Sequence, residues 1–486
     1  MMKRAVALLS LLVVAVVLVA VVRALLLRPP VVVVPAFTPL AVDAGGAVKR
    51  FASAVQAPTE SHADVTIDAA AMARFRDLLQ QSFPKVHAAM QREVMPSGAM
   101  ILTWNGQHPE LPPVILMGHM DVVPPDPATL GEWKHAPYSG EIAEGAVWGR
   151  GTLDDKVSVM SLLEAAETLL GQGFTPSRTV LFCFGDDEEN GGEQGAKKIV
   201  ELLASRGVKA EFVVDEGGAV LRDVLAGMTH RVALVGLAEK GFVDVSLDTT
   251  AAGGHSSEPP AHTAIGKLSA GIARLEAHPF PAALTEPAKD ELMAVAPYLP
   301  FSKRLVLANL WLTKPLVLAA SLKEEKQAGG YHTTTAVTMI RGGFKDNALP
   351  TSAHALVNLR VLPGETAQTV LEGVRQRVGD AEVRASLGGV AHDPSPISPA
   401  SGEPFRILGD AIHQMYGSDT VVTPYLVQGG TDGSYYYRLS PAVYRFAPIE
   451  GDLSVLTMIH GVNEHMGVDN YLRAVQFQAQ LLRNLR

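Results

Sequence analysis

The sequence is poor in cysteine, in aromatic residues and in clustered positive charge. Its one cysteine, Cys183, lies in the apolar run 179–184. A lone thiol excludes an internal disulfide, and in that setting it reads as a small buried apolar group rather than a nucleophile. It leaves the compartment open, since exported proteins need no disulfides. Net charge is -9 with no basic block, which argues against a nucleic-acid partner. At 486 residues, 47% hydrophobic and 19% charged, the chain is that of a globular enzyme with two or three domains. No internal repeat interrupts it.

What the sequence does have is one long apolar run near its start. Residues 5–22 carry apolar side chains and a single serine, preceded by Lys3 and Arg4. Eighteen residues rise ~27 Å as a helix, enough for a bilayer core. Arg23 can snorkel, and residues 24–27 lengthen the run. No small-x-small cleavage site precedes Arg28, so an uncleaved anchor over residues 5–27 is expected in place of a cleaved signal. The basic N-terminus leans towards a catalytic domain outside the cytoplasm, membrane-anchored, with secretion after cleavage as the alternative. Residues 1–28 are thus the anchor or signal. The Pro- and Val-rich stretch 29–45 reads as a linker.

Beyond it, short apolar runs alternate with amphipathic segments. Strands are expected at 114–119, 179–185 and 210–215, with helices at 158–170 and 195–204 between them. That alternation predicts an α/β domain, a central mixed sheet flanked by helices. Ligands in such sheets gather at strand carboxyl ends, where His119, Asp186, Asp187 and Asp215 fall. The texture changes after Lys240. Residues 242–247 and 353–361 alternate with period two, and helices are expected at 263–277 and 365–378. This is the pattern of an inserted α+β domain, over 240–395, dividing a catalytic domain into 46–239 and 396–486. Residues 279–330, rich in Leu, Ala and Pro, read as an insertion within that smaller domain. Helices at 404–416 and 468–485 return to the first texture.

The chemistry centres on Gly149-Arg150-Gly151-Thr152-Leu153-Asp154-Asp155-Lys156. The glycines permit a tight turn, and two adjacent carboxylates precede a helix. Buried together they need a metal ion or a cationic partner; the plain alternative is a solvated pair capping the helix. Other segments favour the metal. His119-Met120-Asp121 sets an imidazole and a carboxylate on one face of a strand end, where the acid can orient the ring. Asp186-Asp187-Glu188-Glu189 follows a buried strand, Asp215-Glu216-Gly217-Gly218 ends the next, and His460-Gly461-Val462-Asn463-Glu464-His465 lies near the C-terminus. Each alone could be a core histidine or a solvated turn. Together they offer a mixed His/Asp/Glu shell suited to zinc or a similar ion, and a carboxylate bridge suits two ions.

In their order and wording these motifs resemble the di-zinc aminoacylase and carboxypeptidase superfamily of metallopeptidases, from about residue 46 to the C-terminus. The resemblance implies two Zn2+ per chain, with Co2+ or Mn2+ as substitutes. His119 and Asp215 would hold one ion, Glu189 and His460 the other, and Asp154 would bridge them. Asp121 would orient His119, Glu188 would be the general base, and the peptide after Asp154 would often be cis. The inserted domain resembles the family's lid and dimerisation domain, so a homodimer through it is expected. There His255, in Gly253-Gly254-His255-Ser256-Ser257, would polarise the scissile carbonyl, often across a subunit boundary. Asn347 and Arg360 would bind substrate, the arginine pairing with its carboxylate; a surface ion pair is the plainer reading of Arg360. Gly429 and Gly430 would offer N–H groups beside that carboxylate. Within the superfamily, the anchor, the Asp-Glu-Gly-Gly run and the Ile-His-Gly-Val-Asn-Glu ending most resemble the glycine-X carboxypeptidase and N-fatty-acyl-amino-acid synthase/hydrolase branch.

The implied function is hydrolysis of the amide of a peptide or N-acyl amino acid, releasing an amino acid with a free α-carboxylate, a reaction that the same site can run in reverse. A di-zinc aminopeptidase or dipeptidase would share the metal chemistry but read an α-amine with acids. A receptor or scaffold on this fold would be expected to have lost ligands or base, and all are present.

Overall fold

In the computed structural model, residues 2–62, 68–224 and 228–485 are described. The central sheet runs in the order Gln91–Val94, Met100–Trp104, Val180–Gly185, Val114–His119, Phe212–Asp215, Val443–Arg445, Val232–Glu239, Val220–Leu221 and Glu450–Gly451, with Val421–Val427 also pairing with Val232–Glu239. Its middle strands are parallel: Val114–His119 pairs with Val180–Gly185 on one side and Phe212–Asp215 on the other. Every residue of those three strands is buried, as expected for a sheet covered on both faces. Helices Lys156–Gly171 and Val468–Asn484 belong to the cover on one face and Ala196–Ser205 to that on the other. Cys183 lies inside the second layer, and burial pushes its thiol up to about 12.

After Lys240 the chain enters a second sheet, ordered Thr334–Gly342, Ser352–Val361, Gly241–Thr250, Val383–His392 and antiparallel throughout. The alternation seen in the sequence becomes alternating burial: Val243, Val245 and Leu247 face inward with Val357 and Leu359. Helices Ala264–Ala277 and Ala367–Val378 cover that face. The outer strand Thr334–Gly342 is largely exposed.

Two expectations are revised. Of the insertion 279–330, Phe280 joins the smaller domain's core, but the helices that follow do not. Helices Glu286–Val295, Phe301–Leu307 and Leu310–Ser321 instead bury Val295, Leu307 and Val317 with Val232 and Val421 of the large sheet. Nor is the stretch before Ala44 a free tether. Leu40 is buried, its N–H donates to Gln476 Oε1 and its carbonyl accepts from Gln476 Nε2, so the segment is fastened along the C-terminal helix. Ahead of it, Met2–Leu26 forms one helix of 25 residues. It is long and apolar enough to cross a membrane, with mean hydropathy 3.3 and none of its most apolar window buried in the fold.

Candidate metal and catalytic centre

Two parallel strands end at one level and a third ends two residues earlier, since Leu116 pairs with Val214. His119 closes Val114–His119 opposite Gly185, and Asp215 closes the neighbouring strand. The fourth contribution comes from the glycine turn 149–151 and the two aspartates after it. Arg150 and Glu464 form a buried ion pair at 2.6 Å, and the other Glu464 oxygen accepts from the N–H groups of Leu153 and Asp154. Arg150 also donates to the His460 carbonyl. One buried pair therefore locks the aspartate turn to the His460 loop, two segments more than 300 residues apart. Glu464 and Arg150 were not singled out from the sequence for this part, though both lie inside the motifs read there.

Asp155 turns inward, accepting from the His119 N–H and from Ser158. Gly118 eases the close approach where they meet, since a Cβ there would lie 3.0 Å from Asp155 Oδ2. Lys156 is buried as well, donating to the carbonyls of Ala54 and Ala57, and burial lowers its pKa to about 7. The peptide between Asp154 and Asp155 is cis.

Asp154 alone points into the opening. Its Oδ1 lies 2.9 Å from His119 Nε2 and its Oδ2 2.9 Å from His460 Nε2. One carboxylate thus faces two imidazoles, one per oxygen. Glu189 Oε2 stands 3.3 Å from His460 Nε2, completing one group of donors. His460 holds this position with φ +60, in the left-handed region. His465 does not share the site; its ring stacks on Trp148.

On the other side the structure corrects the expected donor. Glu216, not Asp215, faces His119, its Oε1 3.3 Å from Nε2. Asp215 is the last strand residue and Glu216 the next, so their side chains leave on opposite faces. Asp215 Oδ2 accepts from the Gly433 N–H at 2.6 Å, beside Thr431 and Arg445. Its carboxylate thus secures the turn that follows Gly429 and Gly430, both of which are exposed. Thr431 donates in turn to Glu239, which pairs with buried Arg445 at 2.6 Å.

Asp121 has the orienting position expected of it and a second task. Its Oδ1 is 3.3 Å from His119 Nδ1, and its two oxygens accept from the N–H groups of Glu188 and Glu189. Ser61 also donates to it, at 2.7 Å. His119 Nδ1 also lies 3.0 Å from the Asp121 carbonyl oxygen, so Asp121 sets the histidine ring through carbonyl and carboxylate and the acidic turn through the carboxylate. Glu188 groups with His119 and Glu189. Burial, then neighbouring Glu216, holds its pKa well above the ordinary value, which suits a group that must take up a proton.

Asp154, Glu188, Glu189 and Glu216 here face two imidazoles. Burial pulls His119 down, but Glu216, Asp121 and Asp154 outweigh it and hold it well above its usual value. Hydrogen bonds that His460 donates to Asp154 and Glu189 raise its pKa to about 10. Four carboxylates crowded round two imidazoles repel one another, and burial makes that repulsion costly unless protons or cations offset it. Glu189 Oε1 is moreover buried without a partner. The donor set fits divalent cations on either side of Asp154.

The lid residues are not drawn into this cluster. Gly254–His255 pairs with Ala348–Leu349, and the Ser256 N–H donates to the Asn347 carbonyl, so His255 and Asn347 share one exposed antiparallel pairing. Arg360 lies on Ser352–Val361 with its guanidinium 4.4 Å from the Phe242 ring centre, and burial lowers its pKa. Arg360 is thus stacked rather than ion-paired on the lid sheet.

Residues 115–484 match the model of peptidase family M20/M25/M40. The chain belongs to that family. It is an enzyme, a metal-dependent hydrolase. It is 38% identical over 441 residues to an N-fatty-acyl-amino acid synthase/hydrolase of Danio rerio, covering 90% of this chain and 85% of that protein. Carboxypeptidase S of Saccharomyces cerevisiae is 31% identical over 467 residues, covering 84% of this chain and 78% of the relative. An M20 family metallo-carboxypeptidase of Sulfolobus solfataricus shares the fold with TM-score 0.67 at 19% identity, over 90% of this chain and 99% of that one.

Proposed function

We propose that this hydrolase cleaves the amide of an N-acyl amino acid or peptide whose leaving group carries a free α-carboxylate, using two divalent cations. The observation that carries the reading is Asp154, set between His119 and His460 with one oxygen towards each. His119, Glu216 and Asp154 would hold one ion and His460, Glu189 and Asp154 the other. Zinc suits this mixed donor set, and Co2+ or Mn2+ could replace it. When bound, the ions would supply an acidified water and polarise the scissile carbonyl.

The remaining work falls to the chain's own residues. Glu188, its pKa raised by burial, takes a proton from the attacking water and passes it to the departing amine. Asp121 keeps Glu188 and Glu189 in place through their backbone N–H groups. Arg360 is the cation for the leaving group's carboxylate, helped by Asn347 and the N–H groups of Gly429 and Gly430. His255 stabilises the carbonyl oxygen as it gains charge. Because His255 and Asn347 are exposed, lid closure or a second copy of the chain must bring them to the centre. A homodimer through the lid accounts for this. Met2–Leu26 would anchor the enzyme, with its catalytic domain outside the cytoplasm. The names of the two similar relatives support an acylated or peptidyl amino acid as substrate.

The test is a substrate panel with the metal-loaded enzyme: N-acyl amino acids and N-blocked dipeptides, their C-terminal amides, and amino-acid amides with a free amine. Cleavage of the first group, sharply reduced in the second and absent in the third, is expected. Preference for free-amine amides would replace this reading with an aminopeptidase.

A further inference from the structure

The insertion that leaves the lid has an unusual surface. Phe301, Trp311, Leu312, Leu316 and Leu322 are large apolar residues on or beside helices Phe301–Leu307 and Leu310–Ser321, and all are exposed, Trp311 by 56% and Leu316 by 62%. Such a patch on a water-soluble face is costly and marks an interaction site. On these two helices the charged residues, Lys303, Arg304 and Lys314, are all basic. Between these helices and Glu286–Val295 lies a cavity of about 530 Å³ lined by Leu292, Val295, Leu299, Val306, Leu316 and Val317, so the apolar surface continues inward.

The place of this patch says what covers it. Asn309 Nδ2 donates to the Ala20 carbonyl, Arg23 Nε to the Ala308 carbonyl and Arg304 to the Leu27 carbonyl. The two helices are thus bonded to the last turns of Met2–Leu26, and Ala24 is buried there. That helix rises roughly 37 Å over its length, more than the ~30 Å hydrocarbon core. Contacts confined to its Ala20–Leu27 end therefore fall at the level where a span leaves the acyl chains for the headgroups. Trp favours that boundary, and Lys and Arg there meet anionic headgroups.

We propose that helices Phe301–Leu307 and Leu310–Ser321 lie in the bilayer surface as a second membrane contact, with Trp311, Leu312 and Leu316 among the acyl chains. This rests on the reading of Met2–Leu26 as a span. Two membrane contacts instead of one fix the tilt of the catalytic unit, where a single spanning helix could itself tilt and rotate in the bilayer. A hydrolase so held works on substrates that partition into the lipid.

Tryptophan fluorescence tests this in the full-length protein. Trp311 belongs to the insertion, Trp104, Trp133 and Trp148 to the catalytic unit, and Met2–Leu26 has none. Span insertion alone therefore leaves every tryptophan outside the acyl region. The protein is reconstituted into phosphatidylcholine–phosphatidylglycerol vesicles with or without bromine on the acyl chains, and flotation reports the span separately. Brominated chains should quench the wild-type emission, and Trp311→Phe should abolish that quenching. Leu312→Asp, which keeps the reporter, should also lose it. Equal quenching in wild type and Trp311→Phe, or none in floating protein, overturns the second contact while leaving the span. An unquenched Trp311 in a vesicle-bound dimer would mean that another copy of the chain covers the patch, which also overturns it. Protein that fails to float removes the span and this contact with it.

Discussion

The metal cluster and the lid residues are built in opposite ways. Each donor around Asp154 is held by something buried: His119 by Asp121, the aspartate turn by Glu464, and the Glu188–Glu189 turn by Asp121 again. On the lid, His255 and Asn347 sit on a two-residue pairing in solvent, and Arg360 leans on one aromatic ring. The difference teaches a division of labour. The groups proposed to hold cations and move a proton are preorganised at a strand end and in turns packed beside the sheet. On the proposed function, the groups that would read the substrate ride on a separate sheet and would reach the centre by movement or by assembly.

The sharpest way to break this comparison is Glu188→Gln. A rigid centre should keep its cations and its substrate affinity while turnover falls by roughly a hundred- to ten-thousandfold, the usual worth of a general base. Metal analysis beside single-turnover kinetics checks it. If metal and turnover fell together, Glu188 would be a ligand.

A second test compares neighbours. Glu216→Ala should lose one of the two cations, because its carboxylate faces His119. Asp215→Ala should keep both, with a smaller loss of activity from loosening the turn at Gly433. Elemental analysis of the two variants decides between them, and the reverse pattern would restore Asp215 as the donor.

The smallest expected effect belongs to the lid. Arg360→Ala should raise KM for carboxylate substrates by roughly ten- to a hundredfold, the loss of a hydrogen bond to a charged group, and change kcat little. Amide analogues should lose almost nothing. Steady-state kinetics on the matched pair measures this, and equal losses on both would make Arg360 structural.

The sequence shows its strongest periods as structure. Residues 114–119 were expected as a strand and form Val114–His119, and the helix expected at 263–277 is Ala264–Ala277. His119, Asp154, Glu189 and His460 stood out in the sequence because they lie in separate His- and acid-bearing motifs, one at a strand end and three in the turns and loops beside it. Glu216 did not, because it adjoins another acid: a composition such as Asp-Glu-Gly-Gly does not say where the strand stops, and one residue of shift exchanges the two faces. The strands Val232–Glu239 and Val421–Val427 were passed over, and with them the surface on which the insertion lands. Helix Leu310–Ser321 is apolar nearly all round, so its sequence carries no stripe to name its partner.

The claim beneath all of this is that one carboxylate serves two cations. Metal content per chain in Asp154→Ala, measured against wild type after equal loading and dialysis, tests it most directly. The account predicts two ions per chain in the wild type, with most of both lost in the variant along with all activity. Two ions retained at normal affinity in Asp154→Ala would contradict it.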